Sequence, residues 1–261
     1  MKELSIIIPT YKNTCYLNEC FFSIIESIKD RDIEILVGID ACLETISYVN
    51  KNNFEDFIKF YVFKKNQGPY IIKNSLLSIC ESENILFFDS DDIMCENFIS
   101  EVLNHLKLND VVKPSYLEFE DNGEIQTKII RSEGVFAIKK KLLLDYNGFE
   151  PWVCAADTDL SLRLIENGVK FKFIDDVLFY RRIHKNGLTS RHDTGSTSEI
   201  RSYYNKLIIN KKTRGKLDRL NTESFYKISE ISENEIQEVN DIFKEKQKKK
   251  KIINSILKHV D

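Results

Sequence analysis

The four residues Asp89-Ser90-Asp91-Asp92 follow directly on an apolar run, Asn84–Phe88. Extended residues alternate sides, so Asp89 and Asp91 are expected to face the same way. Two carboxylates aimed at one point repel unless a cation or protons neutralise them. Oxygen ligands of this kind favour hard cations such as Mg²⁺ or Mn²⁺. The alternative is a helix N-terminus with acidic residues in its first turn, Asp92 capping a helix that starts near Cys95. A second acidic pair, Asp157 and Asp159, opens a helical pattern. Asp159 and Arg163 stand four apart, the spacing of a structural ion pair, while Asp157 suits either an N-cap or a first-turn acid. His184 ends the stretch Phe179–His184. A lone histidine at a strand end is ordinarily a surface or structural residue, although imidazole is also a common metal ligand.

Elements that would position these residues can be read from the apolar pattern. Leu4–Pro9, Ile33–Asp40, Ile58–Phe63 and Asn84–Phe88 read as buried strands, with helices over Tyr16–Ser27 and Pro69–Cys80. Gly68-Pro69 opens the second helix, where proline suits the first turn. This alternation argues for a parallel sheet with right-handed crossovers, covered on both faces. Ligands of such sheets bind outside the carboxyl ends of the strands. Thr10, Asp40, Asn66 and Asp89–Asp92 should therefore meet at one crevice. Asp121-Asn122-Gly123 is a turn between extended stretches Lys113–Glu120 and Glu124–Ile130. A helix follows over Asp157–Asn167, stopped by Gly168. Two strands come next, Val169–Ile174 and Val177–Ile183. Residues 184–197 form a loop in which Gly187 and Gly195 could act as hinges. A charged helical pattern begins at Ser198.

Four segments in order, Ser5–Lys12 (SIIIPTYK), Glu34–Cys42 (EILVGIDAC), Asn66–Asn74 (NQGPYIIKN) and Asn84–Asp92 (NILFFDSDD), resemble the inverting glycosyltransferase family two. The resemblance covers roughly residues 3–100 by motif order and spacing. It implies an A-type glycosyltransferase fold: an α/β, Rossmann-like, mostly parallel central sheet with flanking helices, here with a C-terminal helical appendage. Carried over by position, Pro9, Thr10 and Tyr11 would line the nucleotide pocket, and Asp40 would contact the base, uracil by the resemblance. Asn66, Gly68 and Ser90 join them as donor-binding residues. Lys73 stands where the family often has arginine and would serve the diphosphate as a point charge. Asp89 would approach the ribose or the metal, Asp91 would ligate a Mn²⁺ or Mg²⁺ ion, and His184 would complete its shell. Gly134-Val135-Phe136 and Gly148-Phe149-Glu150 match the acceptor-side stretch. Ala155–Leu160 resembles the family's E-D-x-D-L helix start, which makes Asp157 the catalytic base; Ala156 replaces the glutamate.

The implied reaction is a metal-dependent inverting transfer from a nucleotide sugar to an acceptor hydroxyl on a glycan, glycolipid or protein. Two other readings compete with it. A nucleotidyltransferase that makes nucleotide sugars needs a glycine-rich basic loop after the first strand, and Thr10–Thr14 contains no glycine. A non-catalytic nucleotide-sugar-binding module is favoured by Ala156 and opposed by the intact acidic cluster.

The implied organisation is a catalytic domain over 1–197, with a nucleotide-sugar half (1–100) and an acceptor half (101–197), followed by an appendage over 198–261. A net charge of −3 predicts no general attraction to nucleic acid. Residues 211–261 hold 13 Lys/Arg against 9 Asp/Glu, so the tail is basic and the remainder acidic. Lys248–Lys251 reads as a solvated helix face, with contact to anionic lipid as the sharper alternative. The appendage could dock on the catalytic domain, pair two chains, or meet a partner or membrane surface. Six cysteines without a CxxC pair, no membrane-length apolar run and no leader-like start fit a reduced, cytoplasmic chain.

Overall fold

The computed structural model describes residues 2–52, 54, 58–210 and 222–228. The first half alternates β1 (Leu4–Thr10), α1 (Leu17–Ile28), β2 (Ile33–Asp40), α2 (Leu43–Asn52), β3 (Lys59–Phe63), α3 (Pro69–Leu76) and β4 (Asn84–Phe87). The four strands expected here stand within a residue of their predicted bounds. They lie parallel in the order β3-β2-β1-β4. Ile6 and Ile8 of β1 pack into one apolar cluster and Ile7 into another, the period-two alternation of a strand covered on both sides. α2 escaped the sequence reading because it buries only a narrow stripe, Thr45, Ile46 and Val49, under an otherwise polar surface.

β5 (Ile93–Met94), α4 (Phe98–Leu106), β6 (Val111–Glu120), β7 (Ile130–Arg131), β8 (Phe136–Lys139), α5 (Lys140–Asp145), α6 (Ala156–Glu166) and β9 (Phe171–Ile183) make up the second half. β8 runs antiparallel to β4, and the sheet continues through β6 and β9 to β5. It is therefore mixed: β3-β2-β1-β4 are parallel, β8 is antiparallel to both β4 and β6, and β6 and β9 are parallel again. α1, α2 and α4 contribute to the first apolar cluster, α3 and α6 to the second.

Two local expectations are corrected. The strands expected at Val169–Ile174 and Val177–Ile183 are one strand, β9, with a bulge opposite Pro114: Lys113 pairs with Phe173 and Ser115 with Val177. Proline has no N–H to lose from the ladder, so the extra residues of β9 are accommodated there. Beyond the Asp121–Gly123 turn, most of the second hairpin arm is not a strand. It touches β6 through Phe119–Ile125 and through β7, and residues 124–129 are exposed, Ile125 and Ile129 included.

Beyond Ser198, α7 (Glu199–Ile209) supplies the expected helix, its N-terminus capped by the Ser198 side chain. Tyr204 stacks on Trp152 at 4.5 Å and Ile208 is buried in the second cluster, so α7 docks on the sheet's covering helices. A strand then appears that the helical pattern had hidden: β10 (Phe225–Lys227) pairs antiparallel with the outer edge of β3. Phe225 packs on Tyr61 and Phe63 at 5.4 Å, and the pairing closes an edge that would otherwise be open. The Lys248–Lys251 run, and the membrane and oligomer readings attached to it, lie outside the described residues. Among the described residues no helix is long and apolar enough to cross a membrane.

Candidate active site

The carboxyl ends of β1, β2 and β4, the start of α6 and the end of β9 deliver the polar residues singled out above to one side of the sheet. Backbone strain gathers there too. Lys12, just after β1, Ala41, just after β2, and Ala155, just before α6, are non-glycine residues with left-handed backbones (φ 60°, 49° and 67°). Such conformations cost energy that surrounding packing must offset, and they cluster at functional sites.

The acidic cluster is a turn rather than an extended run. The Asp92 N–H donates to the Asp89 carbonyl at 3.4 Å, so the expected strand-like alternation of Asp89 and Asp91 does not hold. Their carboxylates take different partners. Oδ2 of Asp91 lies 2.8 Å from Nε2 of His184, and Oδ1 of Asp89 lies 3.7 Å from Nζ of Lys73. Asp92 does not cap a helix: it is buried and accepts the Arg182 N–H at 3.0 Å, while α4 starts later, at Phe98. Burial, with Asp91 and Asp89 close by, pushes the Asp92 pKa well up. Desolvation also raises Asp89, as do Asp91 and Asp157, against the opposing Lys73 ammonium; water still reaches 43% of its side chain. Ser90 is buried and its hydroxyl accepts from the Asn13 amide at 3.0 Å, tying the turn to the loop after β1.

Asp91 and His184 meet although 93 positions separate them. Two ligands at right angles about 2.1 Å from one cation sit roughly 3 Å apart, so this pair has the spacing of neighbouring ligands. Nδ1 of His184 is buried without a protein partner. Among the described residues no three His, Cys, Asp or Glu side chains gather into a complete metal site. Remaining positions on an ion held here would be filled by water and phosphate oxygens, as is usual for Mg²⁺-type sites.

On the β2 side, Asp40 accepts the Gln67 N–H on Oδ1 (2.7 Å) and the Gly68 N–H on Oδ2 (2.9 Å), and the Asn66 amide reaches its carbonyl at 3.4 Å. Burial raises the Asp40 pKa and these two hydrogen bonds oppose the rise. Asp40 is thus the brace that sets the entry to α3. Pro9 and Tyr11 are half-buried beside it along the chain end of β1, and the Thr10 hydroxyl is buried with no protein partner. Lys73 is 3% exposed, ringed by Tyr70, Phe87 and Phe149 at 5.4–5.8 Å. Its ammonium is held inside an aromatic wall against Asp89, a more enclosed position than a free contact to a diphosphate would need.

Asp157, in the first turn of α6, accepts the Tyr70 hydroxyl and the Thr158 N–H on Oδ1, both at 3.0 Å. Its Oδ2 faces Gly134, where an added Cβ would sit 3.2 Å away; Oδ2 of Asp89 would be 3.8 Å from the same Cβ. Gly134 therefore keeps clear the space between the two carboxylates. Ala156, beside Asp157 in the chain, is fully buried. Asp159 and Arg163 form the expected ion pair at 2.7 Å. Two contributors were not singled out from the sequence: Tyr70, and Arg182, whose guanidinium binds the Asp91 carbonyl at 3.1 Å. Neither carried a local signal. In the 184–197 loop, a Cβ on Gly195 would lie 2.4 Å from the Arg191 carbonyl, so this glycine serves a close backbone approach as the loop turns.

Known proteins resemble this chain in sequence and in fold. A family model described as "Glycosyl transferase family 2" matches residues 5–160. Poly(ribitol-phosphate) beta-N-acetylglucosaminyltransferase TarP of Staphylococcus aureus is 29% identical over 141 residues, which is 51% of this chain and 42% of TarP. An uncharacterized glycosyltransferase of Haemophilus influenzae is 29% identical over 113 residues, 43% of this chain and 45% of that protein. The chain thus spans less than half the length of these curated relatives. Among solved structures, S. aureus TarS in complex with UDP-GlcNAc superposes with a TM-score of 0.61 at 20% identity, over 72% of this chain and 60% of that one. The mannosyltransferase PcManGT of Pyrobaculum calidifontis, in complex with GDP-Man and Mn²⁺, gives 0.59 at 19% identity, over 71% and 58%. At these identities the superpositions establish a shared fold.

Proposed function

Because the chain belongs to glycosyl transferase family 2 and is therefore a glycosyltransferase, we propose that it transfers a hexosyl or N-acetylhexosaminyl group from a UDP-sugar to an acceptor hydroxyl with inversion. Asp157 acts as the general base. The observation that carries this reading is that Oδ2 of Asp157 and Oδ2 of Asp89, two residues before the Asp91 that meets His184, both border the space at Gly134. Family membership sets aside the nucleotidyltransferase and binding-module readings.

Asp91 and His184 would hold the divalent cation, and the imidazole in that set favours Mn²⁺ over the harder Mg²⁺. When bound, such an ion stabilises negative charge on a diphosphate leaving group. Pro9, Thr10 and Tyr11 would line the nucleotide end, where the unpaired Thr10 hydroxyl offers a hydrogen bond. Asp40 keeps one lone pair on each oxygen for a base N–H while bracing Asn66–Gly68. Asp89 and Ser90 would lie along the ribose and diphosphate, with Lys73 fixing Asp89 from below. Oδ2 of Asp157 takes the acceptor proton as the acceptor oxygen attacks the anomeric carbon from the face opposite the leaving group. The acceptor is a glycan, glycolipid or protein hydroxyl reached over Gly134.

The test is UDP release with Mn²⁺ across a panel of nucleotide sugars, headed by UDP-N-acetylglucosamine, and then two substitutions. Asp157→Asn should lower kcat by roughly 10²–10⁴-fold with donor affinity intact. Asp91→Asn should abolish Mn²⁺-dependent donor binding in calorimetry. Full turnover by Asp157→Asn excludes it as the base, and unchanged Mn²⁺ dependence in Asp91→Asn removes it from the ion's shell.

A further inference from the structure

Asp157 lies in the first turn of a helix whose N-terminus has no side-chain cap. Ala155 at the N-cap position has no polar side chain to cap with, and Ala156 after it has none either. Backbone geometry alone leaves a first-turn carboxylate free to swing about its own side-chain torsions. Only one side chain among the described residues hydrogen-bonds to it: Tyr70, whose hydroxyl donates to Oδ1 from 87 positions earlier in the chain.

Tyr70 is built to hold that position. It is 4% exposed, and a buried phenol needs a hydrogen-bond partner, which here is Asp157. Its ring packs on Phe149 at 5.3 Å and lies 5.7 Å from the Lys73 ammonium, one turn further along α3. The start of α3 is in turn fixed by Asp40, through the Gln67 and Gly68 N–H groups. α3 therefore presents Tyr70 to Asp157 and Lys73 to Asp89 from one face, the i,i+3 spacing that puts two side chains side by side. With Tyr70 and the Thr158 N–H both on Oδ1, both lone pairs of that oxygen are used, and Oδ2 is the atom that faces the open space at Gly134.

We propose that Tyr70 is a positioning residue for the transfer: its O–H clamps Oδ1 of Asp157 so that Oδ2 alone meets the acceptor hydroxyl. The inference rests on the reading of Asp157 as base. In that step the acceptor O–H bond breaks and its proton goes to Oδ2. The acceptor oxygen bonds to the anomeric carbon, and the bond from that carbon to the diphosphate oxygen breaks, the nucleoside diphosphate leaving with the electron pair. Tyr70 keeps its own proton throughout.

The experiment is a double-mutant cycle of Tyr70→Phe and Asp157→Asn in the full chain, following kcat and donor KM with Mn²⁺. Tyr70→Phe keeps the ring and its packing, so an unchanged melting temperature and donor KM are expected, with kcat lowered about 10- to 100-fold, the worth of a hydrogen bond to a charged group. In the Asp157→Asn background the same change should leave the residual rate unaltered, because the group it positions is gone. A kcat within about twofold of wild type in Tyr70→Phe, with Asp157→Asn still strongly impaired, overturns the proposal and leaves the base assignment standing. Equal losses in both backgrounds also overturn it, since a purely structural defect behaves that way. If Asp157→Asn turns over at the wild-type rate, the base assignment falls first and this inference with it.

Discussion

Glu150 carries an unusual charge burden for a glutamate in the core. It is 6% exposed, and burial together with the nearby Asp159 carboxylate pushes its pKa up from 4.5 to about 7, against the pull of Arg163. The folded chain thus keeps a proton on Glu150 at pH values where the unfolded chain has released it. Stability should therefore fall as pH rises from about 4.5 through about 7, and level off above. Replacing Glu150 by Gln removes the titrating group. Urea titrations are expected to show a gain of roughly 1–3 kcal/mol at pH 8 and little change at pH 4.5. The same shift at both pH values would show that the substitution acts through packing and not through the proton.

At the scale of elements, one arginine ties three segments to the acidic turn. The Arg182 guanidinium on β9 lies between the rings of Tyr16 and Phe119, at 4.5 and 4.4 Å, and pairs with Glu19 at the start of α1 and Asp121 at the hairpin tip. Its Nε–H also binds the Asp91 carbonyl, and its backbone N–H binds Asp92. Lysine carries the same charge but neither the planar fork nor the stacking face. Arg182→Lys should cost about 2–3 kcal/mol in chemical denaturation, since it leaves acceptors and rings without their partner. It should also weaken Mn²⁺ binding, because the turn that carries Asp91 loses its brace. Wild-type stability together with wild-type Mn²⁺ affinity would contradict this account of the turn.

For the whole molecule, the described residues beyond Ser198 are part of the sheet and its cover. α7 lays Tyr204 on Trp152, and β10 extends the sheet beyond β3. The edge that β10 closes is an apolar one, with Phe63 buried beneath it. Phe225→Ala should lower stability by about 1–3 kcal/mol, less than a fully buried phenylalanine because Phe225 is only half-buried. The exposed β3 edge should also make the variant more prone to association, which light scattering would register. Unchanged stability and a monodisperse variant would mean that β10 is an ornament on an already complete sheet.

Much of this chain was legible from local pattern. The strands at Leu4–Thr10, Ile33–Asp40, Lys59–Phe63 and Asn84–Phe87 are short runs whose burial shows in composition. The ordered motifs around Thr10, Asp40, Asn66 and Asp89–Asp92 carried the family and the expectation of one crevice. What the sequence could not convey are relations that act across distance. It does not say that Asp89–Asp92 turns, so that Asp89 goes to Lys73 and Asp91 to His184. Nor does it say that Tyr70 reaches Asp157, that Gly134 leaves space beside two carboxylates, or that Phe225–Lys227 leaves a charged helical pattern to pair with β3. Periodicity and turn chemistry act over a few residues, and these contacts join positions from 16 apart (Lys73 and Asp89) to 162 apart (Phe63 and Phe225). Which side chains meet at such separations is decided by how the helices pack on the sheet, and that exists only once the chain has folded.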